Sequence, residues 1–320
     1  MKAIIPLFVF ILFAVLIPGS ACKKQNEPGP IPLQHPVVPT AEYLSNLRAY
    51  KKSSHQLSYG WFGGSGGDGK TAMMMNRWES LPDSIDIISC WGGPPQLGTP
   101  HMEAMRNMQK NKGTRVVTCS IVGDHFLTNV DKDFIEKYTK GDEALLMRGM
   151  ELAAKAVADS VEKYSLDGFD FDFEPSGYLT DPAKFHLFLL AVSKYLGPKS
   201  GTDKLLIVDS FVETLDSRSI PLLSYYVLQN YSPQGGTATG ALNRLKRQVP
   251  GMPIEQCIIG ENFESLWRDG GLLAAFARWQ PPTGRKGGIA AYHLEYEYSN
   301  PSMPYMYMRQ AIQIMNPAAK

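Results

Sequence analysis

Eight short apolar runs recur along the chain, at 57–63 (LSYGWFG), 84–91 (SIDIISCW), 114–122 (TRVVTCSIV), 166–174, 205–211 (LLIVDSF), 225–231 (YYVLQNY), 256–261 (QCIIGE) and 287–296 (GGIAAYHLEY). Between them the apolar spacing changes to that of helices. In 142–164, Leu146, Met150, Ala153, Val157, Val161 and Tyr164 recur at three and four. In 182–197 the pair Asp181-Pro182 supplies an N-cap and a first-turn proline. Strand and helix alternating eight times predicts an α/β fold, a (β/α)8 TIM barrel in a single domain over residues 41–320. A doubly wound open sheet is the competing architecture. It calls for a glycine-rich phosphate fingerprint after an early strand, and none is present. Gly63-Gly64-Ser65-Gly66-Gly67 lacks both the GK[ST] ending and the GxGxxG spacing. It is expected to be a flexible loop over the barrel mouth.

The N-terminus stands apart from the fold. Lys2 precedes an apolar run from Ala3 to Pro18 and then the small residues Gly19-Ser20-Ala21, followed by Cys22. This order predicts a signal peptide over 1–21. It resembles a bacterial lipoprotein signal, with Gly19 where a Leu is usual, and the resemblance implies lipidation of Cys22. Residues 22–40 are polar and proline-rich, without apolar periodicity, and read as a tether. The expected location is the bacterial cell envelope, with membrane contact only through the N-terminal lipid. A monomer is expected.

A net charge of +1 without a basic tract gives no reason to expect a nucleic-acid partner. Cys90, Cys119 and Cys257 lie singly in apolar runs, and the six histidines are scattered. No metal or other cofactor is expected. A Cys90–Cys119 disulfide is possible if their strands are neighbours, but free thiols are favoured.

The stretch LDGFDFDFEPS, 166–176, interleaves acids with aromatics. Strand side chains alternate faces, so Asp170, Asp172 and Glu174 share one face and Phe169, Phe171 and Phe173 the other. In a barrel the phenylalanines suit the helix layer. The acids then point inward and toward the carboxyl end of the strand, where barrel active sites lie. Asp167 falls with the outward set and is expected to make a structural hydrogen bond. Crowding like charges in a poorly solvated place raises at least one pKa, as general acid catalysis requires. A solvated acidic strand or a divalent-cation site are the plainer readings, but the three phenylalanines argue against the first and the lack of another acid cluster against the second.

DGFDFDFE resembles the DxxDxDxE signature of family 18 glycoside hydrolases, the chitinases and endo-β-N-acetylglucosaminidases. Ser120 to Gly123 (SIVG) is similar to a degraded third-strand SxGG. Gln229-Asn230-Tyr231 falls where that family's sixth strand carries a substrate-contacting tyrosine, and Tyr292 stands where chitinases usually have Trp. The resemblance implies substrate-assisted, retaining hydrolysis, the exception to the two-carboxylate rule for which this family is known. Glu174 would be the acid/base, Asp172 would orient the acetamide, and Asp170 would hold Asp172. Gln229, Asn230, Tyr231, Tyr292, Trp61 and Trp91 are the expected sugar contacts, with Glu261, Asn262 and Phe263 as weaker candidates. Trp78, Trp267 and Trp279 are expected in the core. LQNYS is similar to the endo-β-N-acetylglucosaminidase branch, so the expected partner is an N-glycan, cut at the β-1,4 bond of its N,N′-diacetylchitobiose core. A chitinase and a non-catalytic lectin on the same barrel remain the alternatives.

Overall fold

A computed structural model describes residues 38–123, 143–174, 179 and 181–317. The leader, Cys22 and most of the tether lie outside the described residues. Eight parallel strands close into one barrel in sequence order. They are β1 (Leu57–Phe62), β2 (Ile87–Cys90), β3 (Arg115–Ile121), β4 (Gly168–Asp172), β5 (Leu205–Ser210), β6 (Tyr225–Gln229), β7 (Cys257–Asn262) and β8 (Gly288–Tyr292). Each falls on one of the eight apolar runs. The last run is the least well bounded: His293 enters the left-handed region at φ 52°, and a 3-10 turn over Leu294–Ser299 replaces the expected strand end.

Alternation divides the apolar side chains into two bodies. Tyr59, Trp61, Ile87, Val117, Leu205, Ile207, Val227, Ile258 and Ala290 fill the barrel interior. Their neighbours of opposite parity, such as Phe62, Ile88, Val116, Phe171 and Leu206, join the larger core between strands and helices. Described helices are α1 (Ala41–Lys52), α2 (Pro100–Asn107), α3 (Glu143–Lys163), α4 (Pro182–Val192), α5 (Ala238–Gln248), α6 (Phe263–Leu266), α7 (Leu273–Arg278) and α8 (Met306–Met315). Asp181 caps α4 as its sequence predicts, accepting from the Ala183 amide at 2.7 Å with Pro182 in the first turn.

Two expected helices are replaced by turns. The β1–β2 connection carries only 3-10 pieces, where five glycines between 63 and 69 disfavour a helix and Trp78, Leu81 and Ile85 cover the sheet instead. The β5–β6 connection is a 3-10 segment, Ser217–Leu222, interrupted by Pro221. Trp78 is fully buried, and Trp267 and Trp279 pack partly buried on the core. Cys90, Cys119 and Cys257 are free thiols.

β4 is anchored from behind. Phe171 packs edge-on against Phe185 and Phe188 of α4, and Phe173 stacks on Phe185 at 4.4 Å. At its start Gly168 takes φ 154°, and a Cβ there would meet the Leu205 carbonyl oxygen at 2.2 Å. Asp167 accepts from the Val116 amide and from Gln109 Nε2, both at 2.7 Å, the structural role expected of it. Phe171→Ala should destabilise the barrel by about 3–5 kcal/mol, the usual cost of emptying a buried aromatic site. Chemical denaturation would measure this, and a cost below about 1 kcal/mol would show that the helix layer closes over the gap.

Candidate active site

The inward side chains of β4 meet a set of donors from the neighbouring strands. Asp170 is fully buried, and its Oδ2 accepts from Tyr59 Oη at 2.5 Å, Ser89 Oγ at 3.0 Å and Trp61 Nε1 at 3.1 Å. Two residues further on, Asp172 Oδ1 accepts from Gln229 Nε2 at 3.0 Å. The same nitrogen donates to Asp209 Oδ2 at 2.5 Å. Glu174 lies just beyond the strand, its amide donating to the Asp172 carbonyl at 3.0 Å, and its side chain is exposed at the mouth.

These residues line a cavity of about 170 Å³ at the carboxyl end of the barrel. Its acids are Asp172, Glu174 and Asp209, and Gln229, Ile121, Trp61, Trp91, Tyr231 and Tyr292 complete it. The aromatics form a box. Tyr231 and Tyr292 stack at 6.0 Å, and Trp91 meets Tyr292 edge-on at 5.4 Å. On its other side Glu174 borders a second cleft of about 400 Å³ with Phe173, Phe211, Val212 and Glu213. Glu174 therefore stands at the mouth between two concavities.

Burial dominates the electrostatics. It pushes Asp172 up to about 7, with the charges of Glu174 and Asp170 adding to the effect. Asp209 is held well above the usual carboxylate range by burial and by the charges of Asp170 and Asp172. Asp170 is also raised by burial, with the hydrogen bond from Tyr59 pulling the other way. Burial raises Tyr231 well above the ordinary phenol and Tyr292 to about 12, so both keep their protons.

A carboxyl at the strand end, a buried acid two residues before it, and a tyrosine and an amide on and after β6 line one cavity. Residues 25–314 match the family described as glycoside hydrolase family 18, BT1044-like. The chain belongs to that family. Endo-beta-N-acetylglucosaminidase F2 of Elizabethkingia meningoseptica is 31% identical over 292 residues, spanning 81% of this chain and 79% of that protein. Among solved structures, BT1044 aligns with a TM-score of 0.72 at 26% identity, covering 87% of this chain and 93% of that one. The endo-beta-N-acetylglucosaminidase from Cordyceps militaris aligns at 0.67 and 25%, covering 88% and 97%.

Most expected contacts of this family 18 site converge, but four do not. Asn230 has the opposite parity to Gln229 and is fully buried away from the cavity. Its side chain donates to the Thr237 carbonyl and accepts from Arg244, so it braces the β6 loop. Glu261 is fully buried and accepts from the amides of Ser232, Asn262 and Leu272. Phe263 is core. Asn262 is buried with an unpartnered Oδ1, but it does not line the cavity. Trp61 lines the floor almost without exposure, and its indole nitrogen serves Asp170. Gln229 also differs from expectation. Both carboxylates draw on its nitrogen, so it clamps Asp172 rather than waiting for the acetamide oxygen.

The glycine-rich loop after β1 is pinned rather than free. Gly67 bridges to Pro95, and a Cβ on Gly66 would meet the Gly92 carbonyl oxygen at 2.2 Å. Glu295 ties the same loop to β8, accepting from the Gly63 amide at 3.0 Å and pairing with His293 at 2.6 Å.

Asp209 was not legible as a site residue. In LLIVDSF it is a lone acid, and only its pairing opposite Asp172 across β4 and β5 gives it meaning. The raised pKa of Asp172 has a stability consequence. The folded state holds a proton that the unfolded chain releases near pH 4, so this contribution is full below pH 4 and fades as pH rises through about 7. Asp172→Asn cannot ionise and should raise the Tm at pH 8 by a few degrees, with the gain vanishing near pH 4. Thermal melts of both proteins across that range test this, and a gain that grows toward acid would contradict it.

Proposed function

We propose that this protein is an endo-β-N-acetylglucosaminidase that cuts the β-1,4 bond of the N,N′-diacetylchitobiose core of N-glycans with retention of configuration. The observation that carries the mechanism is where the acids stand. Among the described residues lining the cavity, the carboxyls come only from the adjacent strands β4 and β5, while the facing wall is Trp61, Trp91 and Tyr292. A two-carboxylate glycosidase needs acids about 5–9 Å apart on either side of the scissile bond. With no acid among these described residues facing Glu174, the reading is that the nucleophile is the substrate's own acetamide oxygen, which closes on the anomeric carbon to give an oxazolinium. Glu174 protonates the departing oxygen and then takes a proton from the incoming water. Asp172 receives the acetamide N–H and balances the charge that develops on it, and the Tyr231 hydroxyl donates to the acetamide oxygen.

The choice of substrate draws on the relatives. The F2 enzyme carries this activity in its name, and a doubly substituted Cordyceps militaris enzyme was solved with fucosyl-N-acetylglucosamine-Asn. That ligand contains the N-acetylglucosamine–asparagine pair left behind when a chitobiose core is cut, with a fucose added. For location, the reading rests on the leader alone. A lipid on Cys22 would hold the barrel at the bacterial envelope, and Cys22→Ser would release it to the soluble fraction.

The protein should release intact glycans from N-glycoproteins, leaving one N-acetylglucosamine on asparagine, and should cleave chitin oligomers poorly. Mass analysis of the released sugars checks this. Chitin cleavage without glycan release would identify a chitinase, and binding without cleavage a lectin. Glu174→Gln should lower turnover by about 10²–10⁴-fold with binding retained. Tyr231→Phe should lower kcat more than it raises KM, because its bond strengthens as the oxazolinium forms.

A further inference from the structure

We propose that Asp209 is a fourth acid of this site, a neutral carboxylic acid whose Oδ1–H donates to Asp170 Oδ1 and which positions Asp172 through Gln229. The inference rests on hydrogen-bond accounting at the barrel centre. Asp170 Oδ2 already takes three donors, from Tyr59, Trp61 and Ser89. Asp170 Oδ1 and Asp209 Oδ1 are both fully buried without a hydrogen-bond partner of ordinary length, and the thiol of Cys119 beside Asp170 is only a weak donor. Oxygens of the two carboxyls lie within 4.8 Å of one another. Two ionised acids would leave both Oδ1 atoms unsatisfied in a closed interior, which is costly for each. One proton between them satisfies both.

The donors decide which acid holds that proton. Three hydrogen bonds converge on one oxygen of Asp170 and favour its anion. Asp209 accepts only from Gln229. The groups that face Asp209 offer it no positive charge: Asp170 and Asp172 from β4, Cys119 from β3, Tyr59 from β1, and Tyr226 and Tyr231 on and after β6 are all acids in their own right. Burial and these neighbours raise Asp209 well above the usual carboxylate range, in the direction that keeps its proton.

The consequence reaches the chemistry through Gln229. One amide nitrogen spans Asp209 Oδ2 and Asp172 Oδ1, so Asp209 fixes the amide that fixes Asp172. Asp209 and Asp172 are also paired across β4 and β5 in the strand register, which sets their spacing by main chain. Asp209 is thus a positioning residue. The proposal deepens the substrate-assisted reading, but its first test does not need activity.

Infrared spectra of the unliganded protein at pH 9 should show the carbonyl stretch of a protonated carboxylic acid, and Asp209→Asn should abolish it. Asp172 and Glu297, both raised only to about 7, are ionised at that pH. No such band in the wild type, or a band that survives in Asp209→Asn, overturns the proposal. Turnover gives a second readout. Asparagine reproduces the neutral acid, donating to Asp170 and accepting from Gln229, so Asp209→Asn should lose no more than about tenfold in kcat. Asp209→Leu has a similar volume but no hydrogen bonds, and should lose about 10²–10³-fold in kcat, as when one aligned polar group is removed, with KM little changed. Equal losses in the two variants, or none in either, would also overturn it. If the leucine variant does not fold, the infrared comparison decides alone.

Discussion

Burial of carboxyl groups without cations governs the centre of this barrel. Asp170, Asp172 and Asp209 project into one closed interior, and among the described residues none of them takes part in a salt bridge. Everything around them serves to make that tolerable. Tyr59, Trp61 and Ser89 give up interior volume to place three donors on Asp170, and Gln229 divides its amide between the other two. The strands that deliver these side chains are consecutive or opposite around the barrel, so closure itself brings them together. An open sheet would leave Tyr59 of β1 and Asp170 of β4 far apart.

The expense is met on the outer face. Phe169, Phe171 and Phe173 alternate with the acids; Phe171 and Phe173 bury themselves against α4, and Phe169 packs on Phe171. Aromatic burial of this kind contributes about 1.5–3 kcal/mol for each side chain, and it pins the strand that carries the least favourable group of charges. Fold and chemistry are therefore joined at one short segment. The parity that hides the phenylalanines is the same parity that forces the acids inward, and a slip of one residue would exchange them.

This is why so much could be read from sequence. Apolar runs located all eight strands, and strand parity placed Asp170 and Asp172 inward and Asp167 outward. The same rule applied to β6 would have removed Asn230, which sits between Gln229 and Tyr231 and faces away. What parity cannot supply is the neighbour across the sheet. Asp209 became visible only with the register of β5 on β4, and Ile121 only with the cavity it lines. The missing helices had a local cause that composition did express, in the glycines after β1 and in Pro221.

The glycine-rich turn after β1 bears on how such a rim could evolve. There, Gly66 abuts the main chain of Gly92 and Gly92 abuts the main chain of Gly63, at separations that leave no room for a side chain. A rim made of backbone has no rotamers to exchange and no side-chain length to trade. At Gly66 and Gly92 a side chain would meet main chain, so the outline there changes only when residues are inserted or deleted. The opposite flank, built from Tyr231, Phe211 and Val212, carries side chains and is open to gradual adjustment. Divergence among relatives should accordingly be stepwise in loop length on one side of the mouth and continuous in residue type on the other.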